Sequence, residues 1–131
     1  MEQEKKQEMI FKFQVFEQQV RQLQEQMEAV ERGINDLGSI NFGIDELKGK
    51  IGREILSPIG KGIFVDTKLA SENLTVDIGG KNFVKKSIPE TKAVIGEQIK
   101  KLISIKKDIS NNLEQISGEM TKTLEEFQDN E

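Results

Sequence analysis

Residues 9–37 have the sequence MIFKFQVFEQQVRQLQEQMEAVERGINDL, in which apolar side chains recur at alternating steps of four and three residues. The recurring positions are Met9, Phe13, Phe16, Val20, Leu23, Met27, Val30, Ile34 and Leu37. A heptad repeat kept over about four heptads is typical of a coiled coil and not of an ordinary surface helix. The intervening residues are mostly good helix formers, so we predict one long helix over residues 3–48.

Three glycines fall in the last part of this predicted helix, at Gly33, Gly38 and Gly43. Each costs a helix about 1 kcal/mol relative to alanine. Two interpretations stay open. In the first, packing elsewhere compensates for the lost helix stability. In the second, the glycines have the function of making this part of the helix less rigid.

The C-terminal region of the chain carries a second repeat with the same alternation. Its positions are Ile95, Ile99, Leu102, Lys106, Ile109, Leu113, Ile116, Met120, Thr123 and Phe127. Pro89 suits the first turn of a helix, and Glu90 just behind it favours the positive end of the helix dipole. We therefore predict a second helix over residues 90–128.

The two repeats are best explained as antiparallel partners within one chain, because the segment between them is short. One alignment brings every a position of one helix opposite a d position of the other, with Leu23 facing Leu113 and Met27 facing Ile109. Lys106 then faces Val30, where its stem packs and its ammonium group reaches water. A register one heptad away also satisfies the pattern.

Residues 50–89, between the repeats, change to a period of two. Alternating apolar and polar residues bounded by Gly, Asn and Ser clusters predict strands near residues 54–57, 62–69, 73–79 and 82–88. Pro58 is expected to end the first strand. The strands form two hairpins or a four-stranded meander. The sequence thus predicts an α+β chain of 131 residues, a single domain with a long antiparallel two-helix coiled coil and β-hairpins inserted between the helices.

The predicted strands are too few to cover their own apolar faces. Ile63, Val65 and Leu69 line one face, and Leu74, Val76 and Ile78 line another. A thin sheet with an apolar face needs a second layer, and an exposed edge invites aggregation. We therefore expect the hairpins of several chains to pack together in an oligomer.

Several large apolar residues near the chain termini fall off the heptad seam, where no helix partner covers them. They are Ile10, Phe11 and Val15 on the first helix and Leu124 on the second. Phe13, Phe16, Met120 and Phe127 lie on the seam beside them, where they either close the coiled coil or join a binding surface. Residues 121–131 carry a net charge of −3, which is either a solvated tail or an acidic rim that attracts basic partners.

Composition excludes several classes of activity. The chain has no Cys and no His, so it lacks the usual zinc ligands, disulfides and Ser-His-Asp or Cys-His nucleophiles. Its net charge of −4 argues against general nucleic-acid binding, and no apolar run approaches the ~20 residues of a membrane span. No phosphate-binding motif is complete, and no signal peptide is visible. We expect a cytoplasmic protein without metal or cofactor.

Two further segments carry a family resemblance. They are Leu56-Ser57-Pro58-Ile59-Gly60-Lys61-Gly62-Ile63-Phe64-Val65 and Leu74-Thr75-Val76-Asp77-Ile78-Gly79-Gly80-Lys81-Asn82-Phe83-Val84. With the flanking heptads they resemble α-type subunits of the prefoldin family, which have two hairpins where β-type subunits have one. The resemblance implies a hexamer of two α and four β subunits, whose hairpins form a double β-barrel platform bearing six coiled coils. It implies that unfolded proteins are held between the coil tips, without ATP, and passed to a group II chaperonin.

The resemblance also assigns residues to these roles. The tip residues expected to bind clients are Ile10, Phe11, Phe13, Phe16, Met120, Leu124 and Phe127. The residues expected at the oligomer interface are Ile63, Val65, Leu69, Leu74, Val76, Ile78, Phe83 and Val84. The alternative function is a coiled-coil filament or scaffold subunit that binds no client. An enzyme with a carboxylate-only site is the third hypothesis, and no convergent Asp or Glu motif favours it.

Overall fold

The computed structural model describes residues 2–129 and contains two long helices with two hairpins between them. Helix α1 spans Glu2–Asp45 and helix α2 spans Ile88–Asp129. The strands are β1 (Glu54–Gly60), β2 (Ile63–Lys68), β3 (Leu74–Asp77) and β4 (Phe83–Lys86). The predicted α+β class is confirmed. The chain divides into a coiled-coil unit, which runs to Ile34 and resumes at Lys101, and a hairpin unit, Asn35–Lys100.

The coiled-coil unit is held by the predicted seam. Every recurring apolar position of α1 up to Ile34 is partly buried, and nearly all other residues in that stretch are exposed. Opposite them, Ile109 of α2 is only 5% exposed. Two contacts fix the register: Lys106 Nζ lies 3.5 Å from Glu31 Oε1, and a Cβ on Gly33 would lie 3.2 Å from Leu102 Cδ1. Both fit the predicted alignment and exclude a shift of one heptad.

The hairpin unit has a small apolar core of its own. Ile44, Ile88 and Ile95 are buried together, and four partly buried residues pack against them: Leu37, Leu47, Leu74 and Ile99. The core therefore joins the end of α1 and the start of α2 to one strand of the second hairpin. Helix α1 continues through all three glycines, because this packing supplies stability that the glycine backbone lacks.

Helix α1 ends at Asp45, three residues before the predicted end. Gly49 has a φ of 72°, a left-handed conformation that glycine adopts without steric cost. Its backbone N–H donates a hydrogen bond of 2.6 Å to Glu72 Oε1. The chain therefore leaves the helix through hydrogen-bonded turns.

Helix α2 begins at Ile88, two residues before the predicted start, because Ser87 caps it. The backbone N–H of Glu90 donates to Ser87 Oγ at 3.2 Å, and the N–H of Ser87 donates to Glu90 Oε1 at 3.3 Å. This reciprocal pair is a capping box, which satisfies two amide groups that a helix start leaves free.

The hairpins form two separate two-stranded antiparallel sheets, so among the described strands the four-stranded meander is wrong. Lys61 and Gly62 close the first hairpin with φ values of 51° and 79°, as a type I′ turn requires. Strand β1 continues past Pro58 to Gly60, contrary to the prediction. The register shifts between Pro58 and Gly60, and an edge strand tolerates proline at such an irregularity.

Candidate functional site

The first candidate surface lies at the end of the coiled-coil unit that carries both chain termini. Val15, off the seam at heptad position c, is 37% exposed there. Three further side chains off the seam are more exposed: Ile10 at 45%, Phe11 at 66% and Leu124 at 42%. They lie outside the helix–helix contact because they occupy heptad positions e and f. We call these three residues the tip patch. They present apolar area that nothing in the described residues covers.

The four remaining predicted tip residues are partly buried in the seam: Phe13, Phe16, Met120 and Phe127. The rings of Phe13 and Phe16 pack edge to face, with centroids 6.1 Å apart and planes at 83°. These four residues pack in the seam between the two helices, next to the exposed tip patch. The predicted site residues therefore divide into an exposed group and a supporting group.

Two grooves farther along the coiled coil differ in chemistry. One has a volume of about 420 Å³ and is bounded by Val20, Leu113 and Met120, with Ser117 on its rim. The other has a volume of about 360 Å³ and is lined mainly by amides, among them Gln19, Gln26, Asn112 and Gln115. Neither groove was predicted from the sequence. The small Ser117 beside the seam could have indicated the first groove, and the amide side chains beside the seam could have indicated the second.

A third groove lies beside Met9 and Phe127 and is lined by charged groups. Its lining includes Lys5, Glu8, Lys12 and Glu126, and its volume is about 200 Å³. This groove lies at the same end of the coiled coil as the tip patch. Apolar and charged surfaces therefore meet there.

The second candidate surface is on the hairpins. Of the eight residues predicted at an oligomer interface, four are exposed: Ile63, Val65, Ile78 and Phe83. The other four are partly buried: Leu69, Leu74, Val76 and Val84. Leu74 packs against the internal core and so contributes to the fold of this chain.

The opposite face of the first hairpin is also apolar, which was not predicted from the sequence. Leu56 is 66% exposed and Phe64 56%, so this hairpin exposes apolar side chains on both faces. Leu56 pairs with Asp66, and the next residue, Ser57, pairs with Val65. Because successive residues of a strand point to opposite faces, the side chains of the first pair lie on one face of the sheet and those of the second pair on the other. The uninterrupted apolar run Ile63-Phe64-Val65 indicates this second apolar face, because a strand with only one apolar face would have a polar residue in place of Phe64.

Electrostatic pairing is concentrated where the helices enter the hairpin unit. Lys92 Nζ donates a hydrogen bond of 2.5 Å to Asp45 Oδ2 and lowers the pKa of that carboxyl group, and Lys48 acts in the same direction. The hydrogen bonds from Ser87 lower the pKa of Glu90. Glu90 caps the start of α2, whereas Asp45 links the end of α1 to Lys92 of α2.

Within residues 2–129, no group of three or more acidic side chains is arranged to hold a metal ion. Neither helix, over the same residues, has a stretch long and apolar enough to cross a membrane. The candidate surfaces are formed by the exposed apolar residues described above, and such patches are suited to contact with other polypeptides.

Comparison with known proteins gives consistent matches. A family model described as prefoldin subunit matches residues 16–131. The prefoldin subunit alpha of Methanosphaera stadtmanae is 27% identical over 92 residues, which is 70% of this chain and 67% of that protein. The prefoldin subunit alpha of Methanobrevibacter smithii is 29% identical over 107 residues, or 81% of this chain and 68% of that protein.

A solved structure has the same fold. The cryo-EM structure of filamentous PFD from Methanocaldococcus jannaschii superimposes with a TM-score of 0.80 at 18% identity. The match covers 88% of this chain and 97% of the other chain. At this identity the similarity concerns the arrangement of helices and hairpins.

Proposed function

Because this chain belongs to the prefoldin family, we propose that it is a subunit of an ATP-independent chaperone that holds unfolded proteins and delivers them to a group II chaperonin. Family membership supports a chaperone-type subunit. The observation that carries the finer proposal is the tip patch, since Ile10, Phe11 and Leu124 expose apolar area that the described residues leave uncovered. Such area binds the apolar segments that unfolded proteins expose.

The chemistry of the tip suits reversible binding. Covering about 300 Å² of apolar surface at roughly 25 cal/mol/Å² gives a gross gain near 7 kcal/mol, before the cost of ordering the client. One tip then binds weakly, and several tips on one assembly bind together through avidity. Weak contacts of this kind allow release without nucleotide hydrolysis.

Assembly follows from the hairpins. We propose that β-type prefoldin subunits cover the exposed residues Ile63, Val65, Ile78 and Phe83, in a complex of two α and four β subunits. A two-stranded sheet is marginal alone, and adding strands and a second apolar layer stabilises it. We place the complex in the cytoplasm, with no cofactor, nucleic acid or membrane partner.

The first experiment compares two complexes in an aggregation assay without ATP. One contains the full chain with β-type subunits, and the other contains a chain lacking residues 1–12 and 120–131. The full complex should suppress aggregation of a chemically unfolded protein, and the truncated complex should assemble without suppressing it. Retained suppression would move the client site elsewhere, and ordered oligomers without suppression by the full complex would favour a scaffold subunit.

Delivery is tested separately, by mixing the loaded complex with a group II chaperonin. A fluorescent client should move from the prefoldin fraction to the chaperonin fraction on a sizing column. A client that stays with the prefoldin complex would restrict the activity to holding.

A further inference from the structure

The two sides of the coiled-coil seam have different chemistry near the chain termini. In an antiparallel pair, heptad positions e of both helices border one side of the seam and positions g border the other. The grooves bear this out, since Glu17 and Ser117 border one of them and Gln19 and Asn112 the other. We name the two sides the Ser117 flank and the Gln115 flank, after one residue that lines each groove.

The Ser117 flank is apolar at its end. Ile10 of α1 and Leu124 of α2 both occupy position e, so the register brings these exposed side chains to the same flank. The next pair of e positions is Glu17 and Ser117, and the small serine leaves the seam residues Leu113 and Met120 open in the groove.

The Gln115 flank is mainly polar over the same length, and its apolar exception is Val15, which is 37% exposed at heptad position c. Its terminal groove is lined by Lys5, Glu8, Lys12 and Glu126, which carry full charges. Its next groove is lined by amides, including Gln115. An apolar segment placed here would strip water from charged and amide groups without replacing their hydrogen bonds.

Resting on the function proposed above, we propose that the client-binding site extends from the tip patch along the Ser117 flank alone. Its occupant is an extended, uncharged apolar segment of an unfolded protein. The charges on the groove rim, Glu17 and Arg21, are opposite, so the groove does not select a charged segment. Leu124 follows the groove residue Met120 by four positions, which is about one helical turn along the same face of α2, so one segment can contact both.

The length of the site follows from helix geometry. Leu113 and Leu124 are eleven positions apart, and a rise of 1.5 Å per residue places them about 16 Å apart along α2. An extended segment of about five residues covers that distance at roughly 3.3 Å per residue. Alternate side chains of the segment then face the groove and the tip patch.

The test uses two matched variants on one helix, Ser117→Arg and Gln115→Arg. Both positions are exposed, lie two residues apart and face opposite flanks. Thr121 Oγ1 donates its hydrogen bond to the backbone oxygen of Ser117, so the substitution leaves that bond in place. The affinity of the assembled complex is measured for a labelled, chemically unfolded protein.

Ser117→Arg removes about 50 Å² of apolar contact per tip, so the dissociation constant should rise about eightfold. Gln115→Arg should change it less than about twofold. Equal effects of the two variants, or no effect of either, would overturn the flank proposal. The triple variant Ile10→Ser, Phe11→Ser, Leu124→Ser tests client binding at the tip patch separately from the flank proposal. If this variant binds the client as tightly as wild type, the proposed function is wrong as well.

A second measurement does not depend on affinity. The chain contains no cysteine, so Ser117→Cys or Gln115→Cys provides a single labelling site on it. A polarity-sensitive fluorophore attached before assembly should shift to the blue on adding client at position 117 and stay unchanged at position 115. A shift at position 115 alone would assign the client to the other flank and overturn the proposal.

Discussion

Replacing the three residues of the tip patch with serine tests client binding at the tip directly. Full burial of a large apolar side chain contributes about 1.5–3 kcal/mol. Phe11 is 66% exposed, Ile10 45% and Leu124 42%, so covering all three contributes roughly 4 kcal/mol. A client that covers half of this area gains about 2 kcal/mol, which corresponds to roughly a 30-fold change in affinity per tip.

The assay is equilibrium binding of a labelled, chemically unfolded protein to the assembled complex. The triple variant should bind at least about tenfold more weakly. Its native mass should stay unchanged. Its melting temperature should shift little because the replaced side chains are exposed. A matched control carries Gln7→Ser, Gln14→Ser and Gln128→Ser, which bring the same three serines to exposed polar positions. Affinities of the triple variant and the control within about twofold would refute the reasoning.

Three further predictions concern assembly and stability. Ile63→Lys should prevent formation of the full complex, because a charge would be buried in the proposed interface; native mass spectrometry showing complete assembly would contradict it. Gly38→Ala should raise the free energy of unfolding by about 1 kcal/mol, since its Cβ meets nothing within 4 Å. Gly33→Ala should gain less in the same denaturant titration because it crowds the facing helix, and equal gains would count against that contact. The lowered pKa of Glu90 stabilises the fold above the ordinary value of 4.5, and this contribution disappears as pH falls through the folded pKa. Melting temperatures of wild type and Glu90→Gln should therefore converge in acid, and a constant gap would argue against the capping role.

The long helices were predictable because one simple periodicity controls them. The same periodicity left the register open to a shift of one heptad, because a coiled-coil seam repeats the same contact, and the contact of Lys106 with Glu31 resolves that choice. The exposed residues Ile10, Phe11 and Leu124 followed from the same pattern, since a residue off the seam of a two-helix pair has nothing to cover it.

The helix boundaries depended on single hydrogen bonds and were harder to predict. Ser87 and Glu90 form a capping box, and their Ser-x-x-Glu spacing is present in the sequence. Pro89 instead suggested a helix start two residues after the observed one. Pro58 was expected to end a strand, yet a strand with a free edge can include a residue that donates no hydrogen bond.

The faces of the hairpins were predicted least well, because alternation alone does not tell which face a protein covers internally. Leu74 was predicted as an interface residue, and it also packs against the core formed by Ile44, Ile88 and Ile95. The exposure of Leu56 and Phe64 was not predicted, because the alternating pattern assigned the first hairpin a single apolar face.

The coiled-coil unit is thin, and this has a consequence for how it opens. Ile109 is buried there, while the other seam residues keep some of their surface in water. Separating the last heptad therefore breaks only the contacts of that heptad, so the two helices can fray from the termini one heptad at a time. Backbone amides near the termini should exchange with deuterium long before those around Ile109. The coiled-coil unit can therefore open at its terminal end while its middle stays closed.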